Sequence, residues 1–302
     1  MPLHLIDWAV RRLIINADDF GLTAGVNRAV IELHQKRVLT SATLMARAVA
    51  TDEAIELALK TPLLGVGCHI VLVDGEPVLP AAKIPSLADR KTGRFRAKPG
   101  SFLRQLLLEG IRASEIEAEA AAQIALLQGR GLALTHIDTH KHVHMFPGAL
   151  RPLLRAARAA GIRAVRNPFE PAWSRRATLS APLSRRMEVS MLRQLQRAFQ
   201  RIAADEGFST TDGALGVLAT GTLDEETMRS LLGSMPEGTW ELVTHPGYND
   251  DDLAKSHTRL RQSRETERQA LMAVLDIKGL ELIGFTQLST KREAPAAGSV
   301  MK

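Results

Sequence analysis

The stretch Leu13-Ile14-Ile15-Asn16-Ala17-Asp18-Asp19-Phe20-Gly21 decides the fold. Its aliphatic start reads as a strand buried on both faces, and Val26, Ala29, Val30 and Leu33 then recur at helical spacing. A buried strand followed at once by an amphipathic helix is the repeating unit of a parallel sheet wound by helices. The unit recurs along the chain. Strands are expected at Leu39 to Met45, Gly65 to Val71, Leu132 to Ile137, Ile162 to Val165, Ala214 to Leu218, Leu242 to Thr244 and Leu280 to Ile283. Helical patterns lie between them, near Asp52–Leu59, Phe102–Ile111, Ser114–Gln128, Leu150–Ala160, Met187–Ile202, Leu223–Leu232 and Thr258–Leu275. Seven or eight such units predict an α/β fold of the distorted (β/α) barrel type, TIM-barrel-like, with mostly parallel strands.

Two stretches break the rhythm. Gly75 to Gly100 is rich in Pro, Lys and Gly and reads as a long loop, a kind of segment that often carries function. Glu170 to Leu183, with Pro171, Pro182 and several Arg, reads as another. The expected organisation is one catalytic barrel over residues 1–290 and a disordered polar tail over 291–302.

Composition narrows the function. Of 302 residues, 45% are hydrophobic and 24% charged, an ordinary globular mix with material for a large core. The net charge of +6 admits nucleic acid, anionic membrane or acidic ligands as partners. However, the Arg are dispersed along helices that also carry Glu, which is the pattern of solvated faces. One Tyr, three Trp and no recognisable helix-turn-helix, zinc-finger or RNA-binding motif speak against nucleic acid. The single cysteine, Cys68, excludes an intramolecular disulfide. No signal-peptide pattern or membrane-spanning run is visible, so a cytoplasmic location is expected.

The chemistry-bearing residues fall where the expected strands end. Asp18 and Asp19 follow the first strand directly; adjacent carboxylates there can divide labour between metal binding and proton transfer. The alternative reading is a helix N-cap. His69, in Gly67-Cys68-His69, closes the third expected strand and, taken alone, reads as a packed histidine. Thr135-His136-Ile137-Asp138-Thr139-His140-Lys141-His142-Val143-His144 is the most specific feature. It puts four of the nine histidines within nine residues, all at even positions. On an extended segment that alternation points them to one side. Not all four can bind one ion, so some would orient the ligands from behind, a role that also suits Asp138. His245, in Thr244-His245-Pro246-Gly247-Tyr248, could give a proton to a leaving group or simply pack before the turn. Arg166, at the end of the Ile162 to Val165 strand, could contact substrate or Asp18, or simply pair on the surface as an Arg at a strand end often does. Asp plus two His leaves coordination positions open for water and substrate, and this donor set suits Zn²⁺ or another transition metal.

The strings Asn16-Ala17-Asp18-Asp19-Phe20-Gly21, Gly65 to Pro80, Thr135 to Pro147 and Thr244 to Tyr248 resemble, in order, motifs of the YdjC-like carbohydrate deacetylases, the ChbG/HpnK family. The resemblance spans Leu13 to about Leu288. It implies a distorted barrel and a metal, usually described as Mg²⁺, held by Asp19, His69 and His140. It further implies Asp18 as general base, His245 as general acid, and N-deacetylation of a GlcNAc-type sugar with release of acetate. Cys68 departs from the Leu or Met of the relatives; its side chain should point away from that of His69 and pack in the core. The Gly75–Gly100 loop leans toward the hopanoid-biosynthesis branch. On that reading the acceptor is lipid-linked, and the Met187–Ile202 helix, with Arg193, Arg197 and Arg201, could rest on an anionic membrane; its other and simpler reading is an ordinary barrel helix with a solvated Arg face. A homodimer is also compatible with the fold. Two other functions fit less well: a metal-dependent phosphoesterase, for which carboxylate ligands are few, and a basic binding protein without catalysis.

Overall fold

The computed structural model describes residues 10–178, 181–256, 258–274 and 279–289. The expected tail 291–302 lies outside the described residues. Among the described residues, seven strands form one parallel sheet: β1 (Arg11–Phe20), β2 (Ser41–Leu44), β3 (Gly65–Ile70), β4 (Ile137–Thr139), β5 (Gly213–Leu215), β6 (Gly238–Thr244) and β7 (Glu281–Leu282). Their order is β4-β3-β2-β1-β6-β5, with β7 also on β1. The stretch from Leu13 to Phe20 lies in the central strand, β1. One edge of β1 pairs with β6 from Arg11↔Gly238 to Ala17↔Thr244. Its other edge is shared, with β7 beside Arg12 and Leu13 and β2 beside Asn16 and Ala17. Burial on both faces follows from its aliphatic run, and Leu13, Ile14 and Ala17 are wholly buried.

The sheet curls, and irregular backbone spans the gap between β4 and β5. Val165 bridges Ile137, and Ala164 bridges Ser209, both in parallel sense. The strand expected at Ile162 to Val165 is thus reduced to single bridges, although it occupies the expected place. The result is a distorted (β/α) barrel. The strand expected from Leu132 begins only at Ile137, because the backbone before it meets β3 irregularly, through Thr135 N to Val66 O and Cys68 N to His136 O.

Helices cover the outside, and the largest apolar cluster, which includes Leu13, Val30, Leu33, Ile55, Ile124, Leu153 and Leu242, lies mainly between them and the sheet. A second cluster of Ile14, Ala164, Ile283 and Phe285 lies toward the N-terminal half of β1. Cys68 is buried in the main cluster, as its alternation with His69 predicts. The Gly75–Gly100 loop has little regular structure but is tied down by buried side chains of helix Ala113–Gly129. Glu119 accepts from the amides of Val78 and Leu79 at 2.8 and 3.0 Å, and Glu115 accepts from the amide and hydroxyl of Ser86. The other expected loop, Glu170 to Leu183, instead contains a short helix, Ala172–Ala177. The single helix expected at Met187–Ile202 is two helices, Leu183–Leu192 and Gln196–Asp205, joined by a 3₁₀ turn at Arg193–Leu195. Among the described residues no helix is long and apolar enough to cross a membrane.

Candidate functional site

The carboxyl ends of β1, β3, β4 and β6 meet at one mouth. In a regular strand Asp18 and Asp19 would face opposite sides. The pairing of β1 with β2 shifts register between Ala17 and Phe20, and Asp19 has φ of +64°. This bulge turns both carboxylates toward the same buried centre. Aspartate tolerates the left-handed conformation better than most residues. The helix-cap reading of the pair is excluded, because Thr23 caps helix Ala24–Gln35 and accepts from Val26 N.

Asp19 Oδ1 lies 3.3 Å from His69 Nε2 and 3.2 Å from His140 Nδ1, and those two nitrogens are 3.3 Å apart. Behind His69, Asp138 Oδ1 is 2.7 Å from Nδ1. Despite its burial, Asp138 is held far below the usual carboxylate range by Arg166 and His69, so it is ionised and accepts the Nδ1 proton. In neutral His69, Nε2 then carries a lone pair aimed at the carboxylate of Asp19. A lone pair facing a carboxylate is repelled unless something positive lies between them. Burial alone would make His69 hard to charge, yet Asp138, then Asp19 and Asp18, raise it to about 10. The field that would hold a proton there also suits a divalent cation. The observed donor set of two imidazole nitrogens and one carboxylate oxygen therefore fits such an ion.

Arg166 is fully buried and touches three carboxylates. Its Nη2 is 2.6 Å from Asp18 Oδ1, Nη1 is 2.5 Å from Asp138 Oδ2, and Nε is 2.7 Å from Glu241 Oε1. Arg166 therefore meets Asp18, as one sequence reading allowed, from a position sealed from solvent. Desolvation would push Asp18 up, but Arg166 outweighs it, so Asp18 stays ionised. Asn16 and Thr43 add donors at 2.9 and 3.5 Å. Glu241 lacks enough of this compensation: burial, with like charges on Asp18 and Asp138, lifts it to about 8 despite Arg166. Even with Glu241 neutral, Asp18, Asp19 and Asp138 outnumber the guanidiniums of Arg166 and Arg264.

His245 follows β6, with Nε2 3.8 Å from Asp18 Oδ2 and Nδ1 3.8 Å from Glu267 Oε2. Burial opposes its charging, but Glu267, then Asp18 and Asp19, raise it above the ordinary imidazole value. Its backbone N–H donates to Glu267 at 2.6 Å. Glu267 and Arg264 share helix Ser263–Ala273, and Arg264 Nη2 is 2.5 Å from Asp19 Oδ2.

The four clustered histidines do not point to one side. The chain leaves the extended state at His140 and turns through a 3₁₀ segment in which Lys141 and His142 are left-handed. Only His140 reaches Asp19. His136 stacks on Phe285 at 3.6 Å, where a Cβ on Gly67 would lie 2.4 Å from its ring. The glycine makes room for the ring. His144 shares a 2.6 Å hydrogen bond with Thr139 Oγ1 and meets the Phe199 ring edge-on. Burial pushes both His136 and His144 down to about 3, so they are neutral. His142 is likewise held well down by burial and by Arg166. Sequence reasoning missed Thr43, Glu241, Arg264 and Glu267. Only a charged residue within an apolar strand, Glu241 in Gly238–Thr244, left a signal that could have been read.

Residues 12–274 match the family described as YdjC-like protein. The chain belongs to the YdjC-like family. A carbohydrate deacetylase of Brevibacillus brevis is 32% identical over 283 residues, covering 92% of this chain and 99% of that protein. The carbohydrate deacetylase of Homo sapiens is 29% identical, with 93% and 92% covered. A crystal structure from Enterococcus faecalis V583, of a protein assigned to cellobiose-phosphate cleavage, has a TM-score of 0.71 at 27% identity and covers 92% of this chain and 99% of its own. The fold, the family and the convergent Asp/His mouth thus agree for this YdjC-like chain.

Proposed function

We propose that this YdjC-like protein is a metal-dependent hydrolase that removes the acetyl group from an acetylated amino sugar of GlcNAc type. The observation that carries the reading is the convergence of Asp19 Oδ1, His69 Nε2 and His140 Nδ1 beside a separately held, ionised Asp18. The carbohydrate deacetylases among the relatives support an acetylated sugar as substrate. Asp19, His69 and His140 would hold the cation, and these donors favour Zn²⁺ or another transition metal over the Mg²⁺ that the family resemblance implied. When bound, the ion supplies Lewis acidity toward the amide carbonyl and lowers the pKa of water.

The chain's own residues supply the proton transfers. Asp18, kept ionised by Arg166, accepts a proton from the attacking water. His245, whose affinity for a proton Glu267 and Asp18 increase, delivers one to the departing amine. The 3.8 Å between His245 Nε2 and Asp18 Oδ2 supports the two acting on one reacting group. Atoms balance: water adds to the acyl carbon, the C–N bond breaks, and acetate and the free amine leave. The contributing residues run from Asp18 to Glu267, which supports residues 1–290 working as one catalytic unit.

The acceptor side of the sugar is read from the surface. Leu183, Met187 and Met191 are 73%, 66% and 66% exposed at intervals of four residues along helix Leu183–Leu192. Between residues 172 and 201 there are seven Arg and one acid, Glu188. This apolar stripe in a basic setting supports contact with an anionic lipid surface and hence a membrane-borne acceptor.

The test is acetate release from GlcNAc, chitobiose, chitobiose phosphate and a GlcNAc-linked lipid in anionic vesicles, each with Mg²⁺, Zn²⁺ or EDTA. Metal-dependent release is expected from an amide-bearing sugar, abolished by Asp18→Asn and highest with the lipid. Phosphate release from chitobiose phosphate without acetate would instead establish the phosphoesterase.

A further inference from the structure

Asp19 has two carboxylate oxygens, and the structure assigns them to different partners. Oδ1 faces His69 Nε2 and His140 Nδ1 at 3.3 and 3.2 Å. Oδ2 meets Arg264 Nη2 at 2.5 Å. Arg264 is 1% exposed, so no water screens this contact. Its backbone is fixed as well, because Arg264 O accepts from Gly247 N at 3.2 Å, and a Cβ at Gly247 would lie 3.2 Å from Arg264 Cδ. The side chain therefore has little room to withdraw. Arg264 Nε and Nη1 are buried and have no hydrogen-bond partner. A guanidinium buried with two unused donors is costly, so its retention beside Asp19 calls for a reason other than its own hydrogen bonding.

We infer that Arg264 is a positioning residue that restricts Asp19 to one oxygen toward the cation and so limits how tightly the cation is held. Two physical effects act in the same direction. With Oδ2 committed to the guanidinium, Asp19 cannot turn both oxygens to the ion. A positive charge in contact with a ligand also opposes the arrival of a second positive charge. The functional return is a site with open positions for water and the sugar amide, as hydrolytic centres need. Arg264 acts through Asp19 and touches no reacting atom. Its helix also carries Glu267, which holds His245, so one outer helix supports both ends of the site.

This inference rests on the metal-binding reading above, and its test is made without substrate. Binding of Co²⁺ to the metal-free full chain is followed by titration calorimetry and by the visible absorption of the bound ion, in wild type, Arg264→Gln and Arg264→Lys. The Gln variant is expected to bind Co²⁺ about tenfold more tightly, because it removes a positive charge that opposes the cation. Its absorption should change as Asp19 offers its second oxygen. The Lys variant, which keeps the charge, should bind close to wild type and so controls for folding. Weaker binding by both variants, or binding and spectra identical to wild type in both, would overturn the role of Arg264. Failure of the wild-type chain itself to bind any ion would overturn the metal-dependent reading instead.

Discussion

Asp138 Oδ1 lies 2.7 Å from His69 Nδ1, and this one contact decides which nitrogen of His69 is turned toward Asp19. An ionised carboxylate can only accept, so the Nδ1 proton is fixed and Nε2 is left as the ligand atom. Asp138→Asn replaces that acceptor by a group that can present N–H to the ring. Metal affinity is expected to fall about 10–100-fold, because partners behind a ligand set its tautomer and orientation. Titration calorimetry with Zn²⁺ checks it; unchanged affinity would show that Asp138 does not set the state of His69.

Arg166 neutralises a buried group that cannot neutralise itself. Replacing it by Met strips Asp18 of its buried counter-charge and leaves Asp138 with His69 and Thr43 alone, at a cost of about 3–5 kcal/mol in unfolding free energy. Arg166→Lys is expected to recover little, because one ammonium cannot reproduce contacts from Nη1, Nη2 and Nε to three carboxylates. Urea unfolding of the three proteins measures this. A Lys variant as stable as wild type would mean that charge alone is needed.

Glu241 gives stability an alkaline limit. Its folded-state pKa, about 8, lies above the ordinary glutamate value of 4.5, so the folded chain holds a proton that the unfolded chain releases. This contribution is complete below about pH 4.5 and is lost as the pH rises toward 8. Glu241→Gln, which cannot ionise, should flatten the decline in stability between pH 5 and 8. Parallel stability curves for the two proteins would show that Glu241 ionises normally.

The long loop is held by carboxylates of a neighbouring helix. Glu119→Ala removes the acceptor for Val78 N and Leu79 N and a partner of Gln123 Nε2 at 2.9 Å. Proteolytic nicking between residues 75 and 100 should accelerate, with global unfolding changing less. The measurement is limited proteolysis with mass spectrometry, and an unchanged cleavage rate would mean that the remaining ties, including Ser86 to Glu115, suffice.

Much of the architecture is legible in the chain itself. Leu13-Ile14-Ile15 and the helical spacing of Val26, Ala29, Val30 and Leu33 identify β1 and its helix, because apolar periodicity is a local property that packing then uses. The segment at Ile162 was harder, since its pairing depends on Ser209 and Ile137, both distant in sequence. The even spacing of His136, His140, His142 and His144 misled for a related reason. It assumes extended backbone, and the chain turns at Lys141 and His142.

Local pattern in the chain is enough for the alternation of strand and helix and for the presence of Asp18, Asp19, His69, Asp138, His140 and His245 at or near strand ends. These follow from short-range patterns and from the rule that parallel strands present their carboxyl ends to one mouth. Only the tertiary structure decided that Asp19 turns to join Asp18, that His140 alone of its cluster reaches Asp19, and that Arg166, Glu241, Arg264 and Glu267 surround them. Those outcomes depend on a bulge in β1 and on contacts between residues as far apart as Asp19 and Arg264, for which no local spacing encodes a distance.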